Sequence, residues 1–292
     1  MGESGACLGF CFNDHQLYYA VNDLNRDNQL DHIGCIEFSF PLKKALFGKP
    51  GSMFEGIEST LTNLSKKYSC QSARMLTPAT EECWTTFPRL VYETPDERED
   101  HLSVLMEGIP REQLETTWFG LSNQDYRLLL IRNKNKFNGF RKLLHNYSSS
   151  DFVSEFEIGI EWHKLTGITG SYLTINCHPG YLAVSSFLFG KLRGATRIPF
   201  ETLHDLPYLW NFYGNHVEWM KGIHEQVYVF GDLGMQVMEI MSGYFQETGE
   251  AILMNSLKSM RMNADENTYG FPLESAFPAI LLSLNFDKNR DP

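Results

Sequence analysis

The sequence is short of positive charge, and this shortage argues against one large class of partners. Its 292 residues include 25 Lys and Arg against 36 Asp and Glu, so the net charge is -11. A protein that binds the phosphate backbone of nucleic acid needs clustered cations. The basic cluster at residues 132–142 is short and is interrupted by Phe137 and Phe140, which is typical of a solvated helix face. We therefore expect no nucleic-acid partner.

The six cysteines show no pairing pattern, and the chain has no long apolar run. No CxxC spacing occurs, and several cysteines lie in apolar strand patterns, where a free thiol behaves as a small hydrophobic group. The sequence shows no basic, apolar leader and no run of the ~18 apolar residues that a spanning helix needs. These absences predict reduced thiols and a cytoplasmic location, with any membrane association made through a partner.

The motifs of several enzyme classes are also missing. No Gly-x-Ser-x-Gly turn supplies a nucleophile for acyl transfer. The nine histidines show neither HxxH nor HExxH spacing, so a metal site has no candidate ligands. We expect no metal ion and no catalytic residue of these classes.

What the chain does have is a strand pattern that occurs twice. Residues 171–200 read as three consecutive strands joined by tight turns, and residues 6–41 repeat the same order of events. In the first copy the polar turn is Asn13-Asp14-His15, and in the second it is His178-Pro179-Gly180. A repeat of this kind predicts a protein with two similar lobes.

The remaining segments predict how the lobes are completed. Apolar residues recur at helical spacing in residues 53–68, 151–165, 202–222 and 235–245, which favours helices there. Further predicted elements are strands at 72–77, 116–121, 127–131 and 227–230, a helix at 137–144, a charged linker at 91–100 and a final apolar segment at 276–284. We therefore predict a first lobe at residues 1–90, a small α+β subdomain at 91–150 and a second lobe at 151–292.

This order of elements resembles the actin-like ATPase superfamily, and within it the branch that contains FtsA, the type IV pilus assembly protein PilM and the cytoplasmic part of GspL. Residues 211–245, which read as a helix, a short strand, a glycine turn and another helix, resemble PilM in particular. The resemblance implies a two-lobed α/β fold of the duplicated ribonuclease H-like type, with a small inserted subdomain. It also implies a C-terminal helix that can return to the first lobe.

The resemblance implies two phosphate-binding hairpins, and both are altered here. Each hairpin needs an Asp to hold Mg²⁺ through water and a Gly that lets backbone N–H groups approach phosphate. In the first hairpin Cys11 occupies the Asp position and Asn13 the Gly position. In the second, Asn176 occupies the Asp position and is followed by His178 and Gly180. Neither a thiol nor a neutral amide replaces a carboxylate for a hard cation.

A third element, Gly231-Asp232-Leu233-Gly234, resembles the turn that contacts adenosine in this superfamily. A lone Gly-x-x-Gly is equally typical of an ordinary strand-to-helix turn. With the two hairpins it implies a degenerate nucleotide pocket, formed by Asn13, Asn176, His178, Gly180, Gly231, Asp232 and Gly234. We expect no cofactor, or weak binding of ATP or ADP.

By resemblance, the function is that of a non-catalytic scaffold in an envelope-associated assembly. Such a protein would bind the short cytoplasmic segment of an inner-membrane partner, in a groove between the small subdomain and the first lobe. It would be peripheral at the inner membrane, and it could form a homo-oligomer. Two alternatives remain open: an active actin-like ATPase or kinase-like phosphotransferase, and an unrelated α+β protein whose repeat is accidental.

Overall fold

The computed structural model describes residues 6–23, 29–49, 51–106, 108–120, 124–258, 260, 262–264 and 270–284. The sequence also predicts polar turns at residues 22–31 and 122–125, and both lie partly outside these ranges. The strands are β1 (Ala6–Phe12), β2 (Gln16–Asp23), β3 (Gln29–Leu30), β4 (His32–Glu37), β5 (Cys70–Thr77), β6 (Cys83–Pro88), β7 (Leu114–Phe119), β8 (Tyr126–Asn133), β9 (Ser149–Ser154), β10 (Ser171–His178), β11 (Tyr181–Leu188), β12 (Lys191–Pro199), β13 (Gln226–Phe230), β14 (Glu250–Leu253) and β15 (Asn263–Ala264). The helices are α1 (Leu42–Phe47), α2 (Ser52–Tyr68), α3 (Arg89–Glu93), α4 (Pro95–Leu105), α5 (Asn138–Leu144), α6 (Ile158–Thr166), α7 (Leu206–His216), α8 (Gly234–Thr248) and α9 (Leu273–Ser283).

Two five-stranded sheets have the same topology. The first sheet has the order β4-β2-β1-β5-β9 and the second has the order β12-β11-β10-β13-β14. In each sheet the first three strands are antiparallel neighbours and the last two join in parallel. The runs of apolar and aromatic residues separated by polar turns were the sequence signal for this arrangement. The predicted two-lobed architecture is confirmed.

Two segments differ from their predictions. Residues 149–154 form β9, which pairs in parallel with β5, and helix α6 begins only at Ile158. The helix predicted at 151–165 is therefore wrong in its first part, because pairing with the sheet overrides the local period. The predicted linker at 91–100 is also wrong, since helix α4 begins there at Pro95 with Asp96 and Glu97 in its first turn. Proline at a first helical position and acidic residues beside it are favourable there.

The small subdomain is built on the antiparallel sheet β6-β8-β7. Its own apolar core includes Phe87, Leu102, Leu129 and Ile131. Strand β6 lies before the predicted boundary at residue 91, while helix α5 lies within the predicted subdomain but packs into the core of the first lobe. The residues of this core therefore place the boundaries of the small subdomain at about β6 and β8. Strand β9 belongs to the first sheet.

The C-terminal helix α9 packs against β1, β2 and β5 of the first sheet. Its apolar residues join one core with Tyr172 and Phe230 of the second lobe. The close approach to β1 requires a residue without a side chain, because a Cβ added to Gly9 would lie 2.0 Å from the carbonyl oxygen of Ala279. Helix α9 therefore holds the two lobes together. Across the described ranges, no helix is both long enough and apolar enough to cross a membrane.

Candidate functional site

The turns that resemble nucleotide-binding elements converge at the junction of the two lobes. Cys11 at the end of β1, Asn176 and His178 in β10, and Asp232 after β13 line one cavity there. The free volume of this cavity is about 20 Å³, which is room for a single water molecule. Ligand pockets for compounds of drug size are usually ~300–1,000 Å³. The cavity that these four residues line is therefore too small for a nucleotide.

Cys11 occupies the wall of this cavity as a neutral thiol. It is 4% exposed, and its Sγ donates to the carbonyl oxygen of Ser275 in α9 at 3.4 Å. Burial raises the pKa of this thiol far above its ordinary value. A protonated, buried thiol does not ligate Mg²⁺, which requires oxygen ligands. Cys11 instead contributes a contact between β1 and α9.

Asn176 is held by contacts on both sides of its amide group. Its Nδ2 donates to Oε2 of Glu155 at 3.0 Å. On the other side, a Cβ added to Gly231 would lie 2.5 Å from the Asn176 Oδ1. Gly231 also has a φ of +99°, a conformation that glycine adopts without strain. Asn176 is therefore a structural link between β10 and the turn that follows β13.

His178 forms an ion pair with the same carboxylate. Its Nε2 lies 2.7 Å from Oε2 of Glu155, and its ring stacks on Tyr181 with 4.6 Å between centroids. Burial opposes the charged form of the imidazole, but the Glu155 carboxylate outweighs that effect, so the pKa of His178 is raised. The protonated imidazole donates a charge-assisted hydrogen bond from Nε2–H to the carboxylate in this geometry.

Glu155 is the centre of the site, and the sequence analysis did not identify it. It lies between β9 and α6 and is 2% exposed. In addition to Asn176 and His178, the backbone N–H of Ala79 donates to it at 2.5 Å and the Tyr181 hydroxyl at 3.2 Å. Ala79 follows a strand of the first sheet, while the other three donors belong to the second lobe. One buried carboxylate therefore connects both lobes.

A weak sequence signal for this site did exist. Ser154 and Glu157 form a reciprocal capping box that begins the turn before α6. The pattern Ser-x-x-Glu indicates a helix start, but it does not indicate that Glu155 between them is buried. The burial of Glu155 becomes evident only from the tertiary arrangement of four donors around its carboxylate.

Three of the predicted pocket residues lie away from the cavity. Asn13 accepts from the backbone N–H groups of His15 and Gln16, so it stabilises the β1–β2 turn. Gly180 forms the β10–β11 turn with a φ of +88°. Gly234 begins helix α8. The structure thus brings together Asn176, His178, Gly231 and Asp232, but not these three.

A second polar network joins the small sheet to the first lobe. Arg132 of β8 donates from Nε to Oε1 of Glu82 at 2.8 Å, and the side chains of both residues are almost completely buried. Glu157 lies 3.7 Å from the same guanidinium. Burial raises the pKa of Glu157 to about 7 in spite of this cation. Buried ion pairs, not an apolar groove, occupy this part of the predicted groove between the small subdomain and the first lobe.

Among the residues that the structure describes, no group of three or more His, Cys, Asp or Glu side chains is arranged to hold a metal ion. Asp232 is the only described residue in the wall of the cavity that carries a carboxylate. Carboxylate and carbonyl oxygens are the usual ligands of Mg²⁺. The side chains around this cavity are arranged to link the two lobes.

Comparison with known proteins identifies the fold. No protein-family model matches the chain, and no curated protein matches it significantly. A solved PilM-PilN type IV pilus biogenesis complex superposes with a TM-score of 0.67 and 9% identity, over 95% of this chain and 97% of the matched chain. A Bacteroides thetaiotaomicron protein of unknown function, described as having an actin-like ATPase fold, superposes with a TM-score of 0.51 and 13% identity, over 87% of this chain and 94% of that one. The chain has the actin-like fold that the resemblance implied.

Proposed function

We propose that this chain is a non-catalytic actin-like scaffold in an envelope-associated assembly of the pilus or secretion type. It binds the short cytoplasmic segment of an inner-membrane protein and is peripheral at the inner membrane through that partner. The similar fold of a chain in a PilM-PilN pilus biogenesis complex supports this proposal. ATP or ADP binds weakly, if it binds at all, near Asn176, His178, Gly231 and Asp232.

The small size of the cavity at the junction of the lobes is the observation that carries the proposal. A nucleotide with its metal needs a cleft and carboxylate charge beside the phosphates. Here the free volume is about 20 Å³, and the two hairpin positions hold the neutral side chains of Cys11 and Asn176. This cavity supplies neither the space for a nucleotide nor the two hairpin carboxylates that would hold Mg²⁺.

The contacts across the junction also favour a rigid scaffold. Enzymes that close on a substrate depend on lobes that move. Here Glu155 connects the lobes through four hydrogen bonds, and helix α9 packs in the core between them. A body held in this way presents fixed surfaces to a partner.

The test combines nucleotide and peptide measurements on the purified chain. Calorimetry with ATP and ADP, with and without Mg²⁺, is compared with a phosphate-release assay. Fluorescein-labelled overlapping peptides from the cytoplasmic segments of inner-membrane pilus and secretion proteins are titrated in parallel, with scrambled peptides as controls. We expect no Mg²⁺-dependent hydrolysis and saturable binding of at least one segment but not of its scrambled form. Mg²⁺-dependent turnover without binding of any segment would overturn the proposal.

A further inference from the structure

A groove separates the small sheet from the second lobe. It lies between β7 and the turn that joins β11 to β12, and its volume is about 330 Å³. Trp118 and Phe119 of β7, Tyr92 of α3, and Ile160 of α6 contribute apolar walls. The Tyr126 hydroxyl donates to the carbonyl oxygen of Arg193 at 3.3 Å and bridges the two sides nearby. This groove is distinct from the small cavity at the junction of the lobes.

An edge strand borders the groove on each side. Strand β7 is at one end of the order β6-β8-β7, and β12 is at one end of the second sheet. An edge strand carries backbone N–H and C=O groups that its own sheet does not pair. Extended peptides bind to such edges by adding a strand, while pockets take alternate side chains. Because β7 and β12 approach each other closely, these edges favour an extended segment that lies along the groove and not a full strand inserted between them.

The aromatic wall on β7 is fixed by its own core. Trp118 contacts Phe87 edge to face at 5.0 Å and lies 4.9 Å from Tyr92. Phe119 stacks on Trp84 at 5.4 Å. Rigid aromatic side chains bind a partner with little loss of conformational entropy. The wall is therefore suited to a large apolar side chain.

Phe189, in the β11–β12 turn directly before the groove residues Gly190 and Lys191, is exposed and strained. It is 61% exposed and has a φ of +51°, which is unusual for a bulky residue. The turn is held in place because the Phe189 N–H donates to the Gly170 carbonyl and because Gly190 packs on the ring of His163. Strain that the surroundings maintain is a feature of binding sites. Neither burial nor backbone preference explains an aromatic residue at this position.

The charge of the groove is opposite to that of the whole protein. The chain has a net charge of -11, yet the residues that line the groove include Arg127 and Lys191 and no carboxylate. The guanidinium of Arg127 lies over Tyr92 at 5.7 Å, and Lys191 is exposed. Complementary charge favours an acidic partner and fixes its orientation.

We propose that this groove binds an extended protein segment that carries a large apolar side chain and at least one carboxylate. The segment lies along the groove in extended form, places its apolar side chain against Trp118 and Tyr92, and directs its carboxylate toward Lys191. The proposal rests on the proposed function, because it describes where the partner segment of the scaffold docks and what its chemistry is.

The experiment measures the affinity of the labelled segment that binds best in the titration above. It compares the wild-type chain with Lys191→Glu, Phe189→Asn and Trp118→Ala, and with Tyr208→Ala, which removes a 70% exposed aromatic ring from α7. A peptide whose Asp and Glu are replaced by Asn and Gln tests the carboxylate. Melting temperatures are recorded for every variant, and amide hydrogen exchange reports on β7.

We expect Lys191→Glu and the neutral peptide each to weaken binding about tenfold. Phe189→Asn also weakens binding while the melting temperature stays equal or rises, because asparagine followed by glycine suits this hairpin turn. If Trp118→Ala fails to fold, the affinity of Phe189→Asn still tests the groove. The peptide slows exchange in β7, and Tyr208→Ala binds like the wild type.

Two other results would overturn the inference in different ways. If a segment binds but the groove variants and the neutral peptide leave its affinity unchanged, the segment docks elsewhere, and the scaffold function stands without this groove. If no segment binds the wild-type chain, the proposed function fails and this inference fails with it.

Discussion

His178 and Glu155 form an ion pair across the junction between the lobes, with 2.7 Å between the imidazole Nε2 and the carboxylate Oε2. His178 belongs to the strand end that resembles a phosphate-binding hairpin, and Glu155 lies in the connection between the lobes. The position where phosphate would be bound is thus used for a link within the protein.

Replacing Glu155 by Gln should destabilise the protein strongly. The amide NH₂ would replace either Oε1, which accepts from Ala79 and Tyr181, or Oε2, which accepts from Asn176 and His178. In both cases donors would face a donor, and the His178 charge would lose its partner. Breaking a buried pair of this kind costs about 3 kcal/mol. Urea unfolding measures the loss, with Glu239→Gln on the exposed face of α8 as the matched control. Equal free energies of unfolding for the two variants would show that the Glu155 network contributes little.

The pKa of His178 should lie above 6.5 in the folded protein and should depend on Glu155. A raised pKa means that the stabilisation is complete below the unfolded value of about 6.5 and is lost as pH rises through the folded value. NMR titration of the imidazole measures it directly. In Glu155→Gln only burial and weaker charges remain, so the pKa should fall below that of the wild type. An unchanged pKa would contradict the assignment of the ion pair.

Glu157 should make the protein less stable as the pH rises toward neutral. Burial raises its pKa from 4.5 to about 7, so its contribution is complete below 4.5 and is lost through about pH 7. A shift of this size corresponds to about 3 kcal/mol. The free energy of unfolding of wild type minus that of Glu157→Gln should decrease by about this amount between pH 4 and pH 8. A difference that does not change with pH would show that Glu157 ionises normally.

Restoring a carboxylate in the second hairpin should not restore metal binding. In Asn176→Asp a second carboxylate would replace an amide that lies 3.0 Å from Glu155, so like charges would meet in a buried site. We expect a loss of about 3 kcal/mol and no rise in melting temperature with Mg²⁺. The exposed Asn211→Asp is the control. A stabilisation of Asn176→Asp by Mg²⁺ would show that the junction can open for a metal.

Gly9→Ala should disrupt the packing of α9 on the first sheet. The new Cβ would lie 2.0 Å from the Ala279 carbonyl oxygen and 2.5 Å from the Ser283 nitrogen, so the helix backbone must move. Overpacking of this kind costs about 3 kcal/mol. Gly56→Ala, on the exposed side of α2 with its nearest atom at 4.0 Å, should instead stabilise the protein by about 1 kcal/mol. Thermal unfolding of both variants checks the opposite signs.

Part of the candidate site could be predicted from the sequence. Asn176, His178, Gly231 and Asp232 are separated along the chain, yet the resemblance grouped them and the structure places them around one cavity. Asn13, Gly180 and Gly234 were grouped with them but serve local turns or a helix start. Glu155 was missed because a buried carboxylate has no periodic or spacing signal. Its role depends on donors that come from the turn after β5 and from β10 and β11.

The sequence by itself determined the duplicated strand triplets, because short apolar and aromatic runs and the polar turns between them are local properties of the chain. It also determined that both hairpin carboxylates are absent. The tertiary structure alone decided that residues 149–154 form a strand and that helix α5 belongs to the first lobe. It also decided that the cavity beside Cys11, Asn176 and Asp232 is small and that a groove opens between β7 and the β11–β12 turn. These features follow from contacts between segments far apart in the chain, where burial and backbone pairing outweigh local preference.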